Sequence, residues 1–174
     1  MFKKFQSLLS ENFLFLKDKK LLLATSGGID SMVMVDLFHK LHYKIAIAHC
    51  NFQLRNVESF EDEKFVVAYA HKHNIPIYTT KFDTQAFAND YKLSIQLAAR
   101  ELRYHWFDEL LEDENYDYIL TAHHADDNLE TFLINLSRGT GLEGLTGIPE
   151  QNDQVIRPLL HFSRIEIEAY AQDN

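Results

Sequence analysis

Leu21-Leu22-Leu23-Ala24-Thr25-Ser26-Gly27-Gly28-Ile29-Asp30-Ser31 is an apolar run that empties into a glycine turn, and Met34, Leu37, Phe38 and Leu41 follow it at helical spacing. That order predicts a strand, a loop and a helix, with the free N–H groups of the helix mouth facing outward. Two adjacent glycines let the backbone curl around an anion. Ser26 and Ser31 add hydroxyls, and Asp30 is placed to hold a divalent cation beside phosphates. The loop lacks the Lys-Ser/Thr pair of a Walker A motif. Taken alone, it reads first as a plain turn with Asp30 as helix N-cap.

Outward from this unit, strand-like runs at Lys20 to Ala24, Lys44 to His49, Ile75 to Thr80, Tyr118 to Thr121 and Val155 to Leu159 alternate with helical patterns. Alternation of this kind predicts an α/β fold: a Rossmann-like, doubly wound sheet of about five parallel strands with helices on both faces. Ser59 with Asp62, and Ser163 with Glu166, have the spacing of capping boxes. Thr84 to Leu93 carries a weaker helical pattern, and residues 139 to 149 read as a glycine-rich loop. The segments after Ala24, His49, Thr80 and Thr121 should converge on one crevice at the carboxyl edge of the sheet.

With 174 residues, 46% of them hydrophobic, the chain is sized for one domain with one good core. It has no apolar run of membrane length and no leader-like start, so no membrane association and a cytoplasmic location are expected. A single cysteine, Cys50, excludes an internal disulfide and a thiolate-ligated cluster, and its simplest role is to fill space in a strand. A net charge of −9 argues against a stand-alone nucleic-acid binder without excluding a nucleic-acid substrate. Lys3, Lys4, Lys17, Lys19 and Lys20 make the first twenty residues net positive, on a helix expected to turn Phe5, Leu8, Leu9 and Phe13 inward. Nothing sets the oligomeric state, and a homodimer is compatible with it.

A second string, Thr121-Ala122-His123-His124-Ala125-Asp126-Asp127-Asn128-Leu129-Glu130-Thr131, follows the fourth strand. On a helix beginning near Asp126, the residues Leu129, Phe132, Leu133 and Leu136 form the apolar stripe, and Asp127 and Glu130 share the opposite side. By itself the string reads first as a solvated helix face, but two carboxylates one turn apart can also grip an ammonium group. Adjacent histidines without cysteines make a poor structural zinc site.

Taken together, these strings carry a family resemblance. Ser-Gly-Gly-x-Asp-Ser at Ser26 to Ser31 resembles the signature of the PP-loop ATP pyrophosphatases. Ala-His-His-Ala-Asp-Asp-x-x-Glu-Thr at Ala122 to Thr131, the Arg138 to Leu145 stretch, Ala99-Arg100-Glu101-Leu102-Arg103-Tyr104 and Arg157-Pro158-Leu159-Leu160 are similar to their tRNA(Ile)-lysidine synthetase branch. The match runs from about Leu21 to Tyr170.

The resemblance implies a PP-loop domain across residues 1–174, with the family's further tRNA-holding domains absent. It implies ATP and Mg²⁺ as cofactors, and free L-lysine and an isoleucine tRNA with a CAU anticodon as partners. The implied reaction adenylates C2 of the wobble cytidine with loss of pyrophosphate; the lysine ε-amine then displaces AMP to form lysidine. Under it, Ser26, Gly27, Gly28, Ile29, Asp30 and Ser31 cradle phosphate, with Asp30 as the Mg²⁺ ligand. His49 and Asn51 lie where adenine or the α-phosphate is met. Arg100 and Arg103 supply guanidinium donors to phosphate charge. Asp127 and Glu130 bind lysine, and His123 assists deprotonation of its amine. The loop from Arg138 to Gly147 reads either as a lid or as a connector.

One departure stands out. Where the family has His-Val-Asn-His-Gly-Leu-Arg, this chain has His49-Cys50-Asn51-Phe52-Gln53-Leu54-Arg55, so Phe52 cannot carry a second histidine's duty. The alternatives are another PP-loop adenylating enzyme and a nucleotide-binding domain without turnover. Thiolation, which generally needs a cysteine pair or cluster, is disfavoured by a lone Cys50.

Overall fold

A computed structural model describes residues 1–54, 57–139 and 146–174. Its elements are α1 (Phe2–Asn12), β1 (Lys20–Ala24), α2 (Ile29–Lys40), β2 (Lys44–Asn51), α3 (Val57–Lys72), β3 (Ile77–Lys81), α4 (Thr84–Tyr91), α5 (Ile95–Asp113), β4 (Tyr118–Leu120), α6 (Ala125–Ser137), β5 (Gln151–Asn152), β6 (Val155–Ile156) and α7 (Arg164–Asp173). The sheet order is β3-β2-β1-β4-β6-β5, parallel throughout except for the β5–β6 pair. The expected parallel strands are all present. The addition is β5, two exposed residues that sequence periodicity cannot register.

Alternation along β1 distributes the core. Leu21 and Leu23 face one cluster with Phe5, Phe38, Val66 and Phe162, drawn from α1, α2, α3 and the turn before α7. Leu22 faces the other way, with Ala46 and Ala48 of β2, Ile119 of β4 and Phe107, Leu110 and Leu111 of α5. All three leucines of β1 are fully buried. A central strand covered on both faces reads as a continuous apolar run, which is why this segment showed no period of two.

Boundaries moved where backbone chemistry required it. The last parallel strand stops at Ile156 rather than Leu159: the Arg157 N–H donates to Glu150 O (2.8 Å) on the β5 side, and Pro158, next in line to face β4, has no N–H for the ladder. Helix α3 starts at Val57, so Ser59 lies inside it and is no N-cap. The Ser163 and Glu166 capping box is present, with the Ser163 N–H donating to Glu166 Oε2 at 2.8 Å. Of the basic N-terminal residues, Lys4 pairs with Glu166 and Lys19 with Asp117, which spends part of that charge internally. The apolar stripe of α6 is exposed: Leu129, Leu133 and Leu136 are each more than half accessible, and α6 buries no residue.

The sheet reverses direction of winding at β1. From β1 the chain proceeds outward to β2 and β3 on one side and returns to β4 and β6 on the other. The carboxyl ends of β1 and β4 therefore flank the topological switch point, where open α/β sheets bind ligands.

Candidate functional site

The backbone leaving β1 is tied down first. Thr25 donates its N–H to Ala48 O (2.9 Å) and its hydroxyl to Leu23 O (3.0 Å). Gly27 then takes φ +96°, and a Cβ there would stand 3.1 Å from the Cβ of Asp62 on α3. Only glycine meets both demands. Ser31, in the first turn of α2, donates its hydroxyl to Gly28 O (2.9 Å) and accepts from the Ser26 N–H (3.2 Å). The Gly28 N–H donates to Ser26 Oγ (3.2 Å). The two hydroxyls expected to meet an anion thus also hold the loop in shape. Gly28, not Asp30, is the N-cap of α2, and Asp30 is the second residue of that helix.

At the other side of the switch point, β4 ends and α6 begins with His124 as N-cap. The His124 N–H donates to Asp127 Oδ2 (2.9 Å), and His124 Nδ1 accepts from the Asp127 N–H (3.4 Å), a capping box made with an imidazole. This role requires the proton of neutral His124 to sit on Nε2, which faces Asp30 Oδ1 at 3.9 Å. Asp30 Oδ1 is buried without a hydrogen-bond partner among the described residues, while Oδ2 meets Arg164 Nη1 at 3.4 Å.

A cavity of about 220 Å³ opens between the two strand ends and is lined by Ser26, Asp30, Ser31, Cys50, Phe52, Arg103, Tyr104, His123 and Asp127 among others. His123 is set by a 2.9 Å contact between its Nδ1 and Thr121 Oγ1. Burial, followed by the cation of Arg157, holds the His123 pKa below its ordinary value against the opposing pull of Asp127, so the ring is neutral near pH 7. Arg103 lies with its guanidinium carbon 5.2 Å from the Phe52 ring centroid, and Phe52 stacks on Phe82 at 5.7 Å. Phe52 therefore braces Arg103 by a cation–π contact.

Six of the expected site residues converge on this cavity: Ser26, Asp30, Ser31, Arg103, His123 and Asp127. Others stand apart. His49 is 2% exposed and lies under the loop, its Nδ1 2.8 Å from Thr25 O; Asn51 is 3% exposed and donates to Glu63 Oε2 (2.7 Å). Both support the site from beneath rather than line it, because β2 turns these side chains into the layer under α3. Gly27 and Ile29 border a separate cavity with Met32, Tyr69 and Tyr170. Arg100 shares a helix with Arg103 but stacks on Tyr104 (4.6 Å) and lines an adjoining cavity. Glu130 is exposed, one turn beyond Asp127 and away from the cavity lining. Arg55 and residues 140–145 of the expected lid lie outside the described residues.

Cys50, Phe52, His124 and Arg164 are the additions. Cys50 does more than fill space in a strand, since its thiol lines the cavity. Burial pushes that thiol up to about 12 against the nearby Arg103, so it stays protonated and is no nucleophile. Arg164 bears no local signal in the sequence beyond its place after Ser163. Only the fold brings it to Asp30.

A glycine loop at the β1 switch point, facing the His124-capped start of α6 across one cavity, defines a nucleotide-type α/β site. The chain belongs to the PP-loop domain family, whose model matches residues 1–174. It is 47% identical over 157 residues to a tRNA(Ile)-lysidine synthase of Porphyromonas gingivalis, a match covering 90% of this chain and 35% of that protein. It is 43% identical over 175 residues to the tRNA(Ile)-lysidine synthase of Chlorobaculum tepidum, covering 98% of this chain and 53% of the relative. The chain thus spans about a third to a half of the length of such relatives. In fold it is similar to the U34-tRNA thiolase NcsA of Methanococcus maripaludis, with TM-score 0.79 and 16% identity, covering 98% of this chain and 62% of that one.

Proposed function

We propose that this chain is the ATP-binding catalytic domain of a cytoplasmic tRNA(Ile)-lysidine synthase. It would join free L-lysine to C2 of the wobble cytidine in a CAU anticodon, with release of pyrophosphate and AMP. The observation that carries the reading is the single cavity that brings Ser26, Asp30 and Ser31 together with Arg103, His123 and Asp127. Membership of the PP-loop family and the similarity to tRNA(Ile)-lysidine synthases support ATP as the activating reagent.

The buried, unpartnered Asp30 Oδ1 fits a divalent cation: Mg²⁺ is held by one or two carboxylates and completes its shell with phosphate and water. When bound, the cation supplies charge neutralisation at the phosphates. The hydroxyls of Ser26 and Ser31, both on the cavity wall, meet the departing pyrophosphate, and Arg103, braced by Phe52, stabilises charge developing at the α-phosphate.

In the second step, Asp127 orients the lysine ammonium group, its carboxylate already fixed by the His124 N–H. Neutral His123 accepts a proton from the attacking amine. Glu130 would extend the lysine site outward along α6.

The test is incorporation of labelled lysine into an isoleucine tRNA with a CAU anticodon, scored with AMP release in one reaction. Lysidine formed in proportion to AMP supports the reading. AMP without lysine in the tRNA, or nucleotide binding without AMP, overturns it.

A further inference from the structure

Beside the central cavity, and sharing Tyr104 with it as a wall, lies a second polar cavity of about 260 Å³. Arg100, Arg157, Asp108 and Asp153 line it. Arg157 is 7% exposed. Its Nη1 donates to Pro149 O (2.8 Å), but its Nε–H is buried with no acceptor among the described residues. A buried guanidinium left with an unspent donor is costly and calls for a reason. Arg100 holds its guanidinium against the Tyr104 ring. Among the described residues, neither arginine lies within ion-pairing distance of a carboxylate, although Arg164 on the opposite side makes two such pairs.

We infer that this cavity binds one ribose–phosphate unit of an RNA strand, so that the neighbouring nucleotide can place its base in the central cavity. The inference rests on the tRNA reading above and gives it a backbone contact. Two guanidiniums match a phosphodiester, because their planar donor sets fit phosphate oxygens. The two carboxylates, unpaired with those arginines, are acceptors for a 2′-hydroxyl, the group that separates RNA from DNA. A nucleotide polyphosphate is the other source of phosphate, and Asp108 and Asp153 would repel its higher charge. The shared wall at Tyr104 accounts for the link between backbone site and reactive site.

Fluorescence anisotropy with a labelled single-stranded oligoribonucleotide of anticodon-loop sequence tests this on the 174-residue chain. Arg100→Gln should weaken RNA binding about tenfold and lower the slope of log K against log salt by about 0.7, the value for one phosphate contact on a single strand. Arg157→Lys should act in the same direction. Asp108→Asn should narrow the preference for RNA over the same DNA sequence. Because Arg100 is exposed, its replacement stays informative even if the Arg157 variant unfolds. Unchanged affinity and slope in Arg100→Gln would overturn the inference, as would a raised ATP requirement in place of weakened RNA binding. Failure of the wild-type chain to form lysidine while RNA binding follows this pattern would sink the synthase reading and leave the backbone site standing.

Discussion

Arg164 Nη1 lies 3.4 Å from Asp30 Oδ2, joining the first residue of α7 to the second residue of α2 across 134 positions of sequence. The same Arg164 donates its N–H to Asp126 Oδ2 (2.8 Å) and its Nε–H to Glu168 (2.8 Å). With His124 Nε2 on the other oxygen at 3.9 Å, Asp30 is flanked from both α6 and α7. The carboxylate that would meet the cation is therefore oriented by two helices besides its own.

Asp30→Asn should cut AMP formation by on the order of 10²-fold or more, the scale seen when one charge-stabilising group is removed. The fold should survive, since a half-exposed ion pair such as that with Arg164 is worth about 0–1 kcal/mol. Pyrophosphate release and thermal unfolding, measured on one sample, check both parts. Normal turnover would remove Asp30 from the cation role.

Asp127 has two duties that substitution can separate. Asp127→Ala removes the acceptor for the His124 N–H and should cost about 1 kcal/mol, as lost caps do. It should also raise the KM for lysine more than that for ATP. Asp127→Asn keeps an acceptor but no charge, so it should recover stability without recovering lysine affinity. Equal shifts in both KM values would make this carboxylate purely structural.

Gly27→Ala forces a side chain into φ +96° and to 3.1 Å from Asp62 Cβ. The backbone term alone is about 1–2 kcal/mol. Chemical denaturation should show a loss of that size or larger, with weaker ATP binding by calorimetry. Gly28→Ala, at an extended φ of −72°, should cost less.

His123 has a folded-state pKa below the ordinary 6.5, with burial as the main cause. The unfolded chain then takes up the proton first, so this contribution to stability is complete above pH 6.5 and is lost progressively as pH falls from there through the lower folded-state pKa. Melting temperature should decline more steeply from pH 7 to pH 5 in the wild type than in His123→Gln. Parallel curves would show that His123 is not held neutral.

Much of the fold was legible because its signals are local. The β1 run, the Gly27-Gly28 turn and the Ser163 capping box each state their geometry within a few residues. The cavity was legible only in part. Asp30, His123 and Asp127 sit at strand ends or helix starts, where topology alone places them at the switch point. Arg100 and Arg103 show what spacing cannot decide, since three positions on one helix share a face while their guanidiniums stack on different rings, Tyr104 and Phe52. His49 and Asn51 were read as lining the site because they end β2, yet both face the layer beneath the loop. Arg164 was invisible for want of any local pattern.

The placement of β1 between β2 and β4 has a kinetic corollary. During synthesis β1 can pair with β2 almost at once, but its other edge must wait for Tyr118 to Leu120, and Asp30 waits longer still for Arg164. Until then the growing chain carries an open edge on a strand whose Leu21, Leu22 and Leu23 are apolar, the kind of surface that recruits chaperones or stray strands. The cavity at the switch point is accordingly among the last features this domain acquires, and nascent chains halted before α6 should emerge from the ribosome sticky and without it.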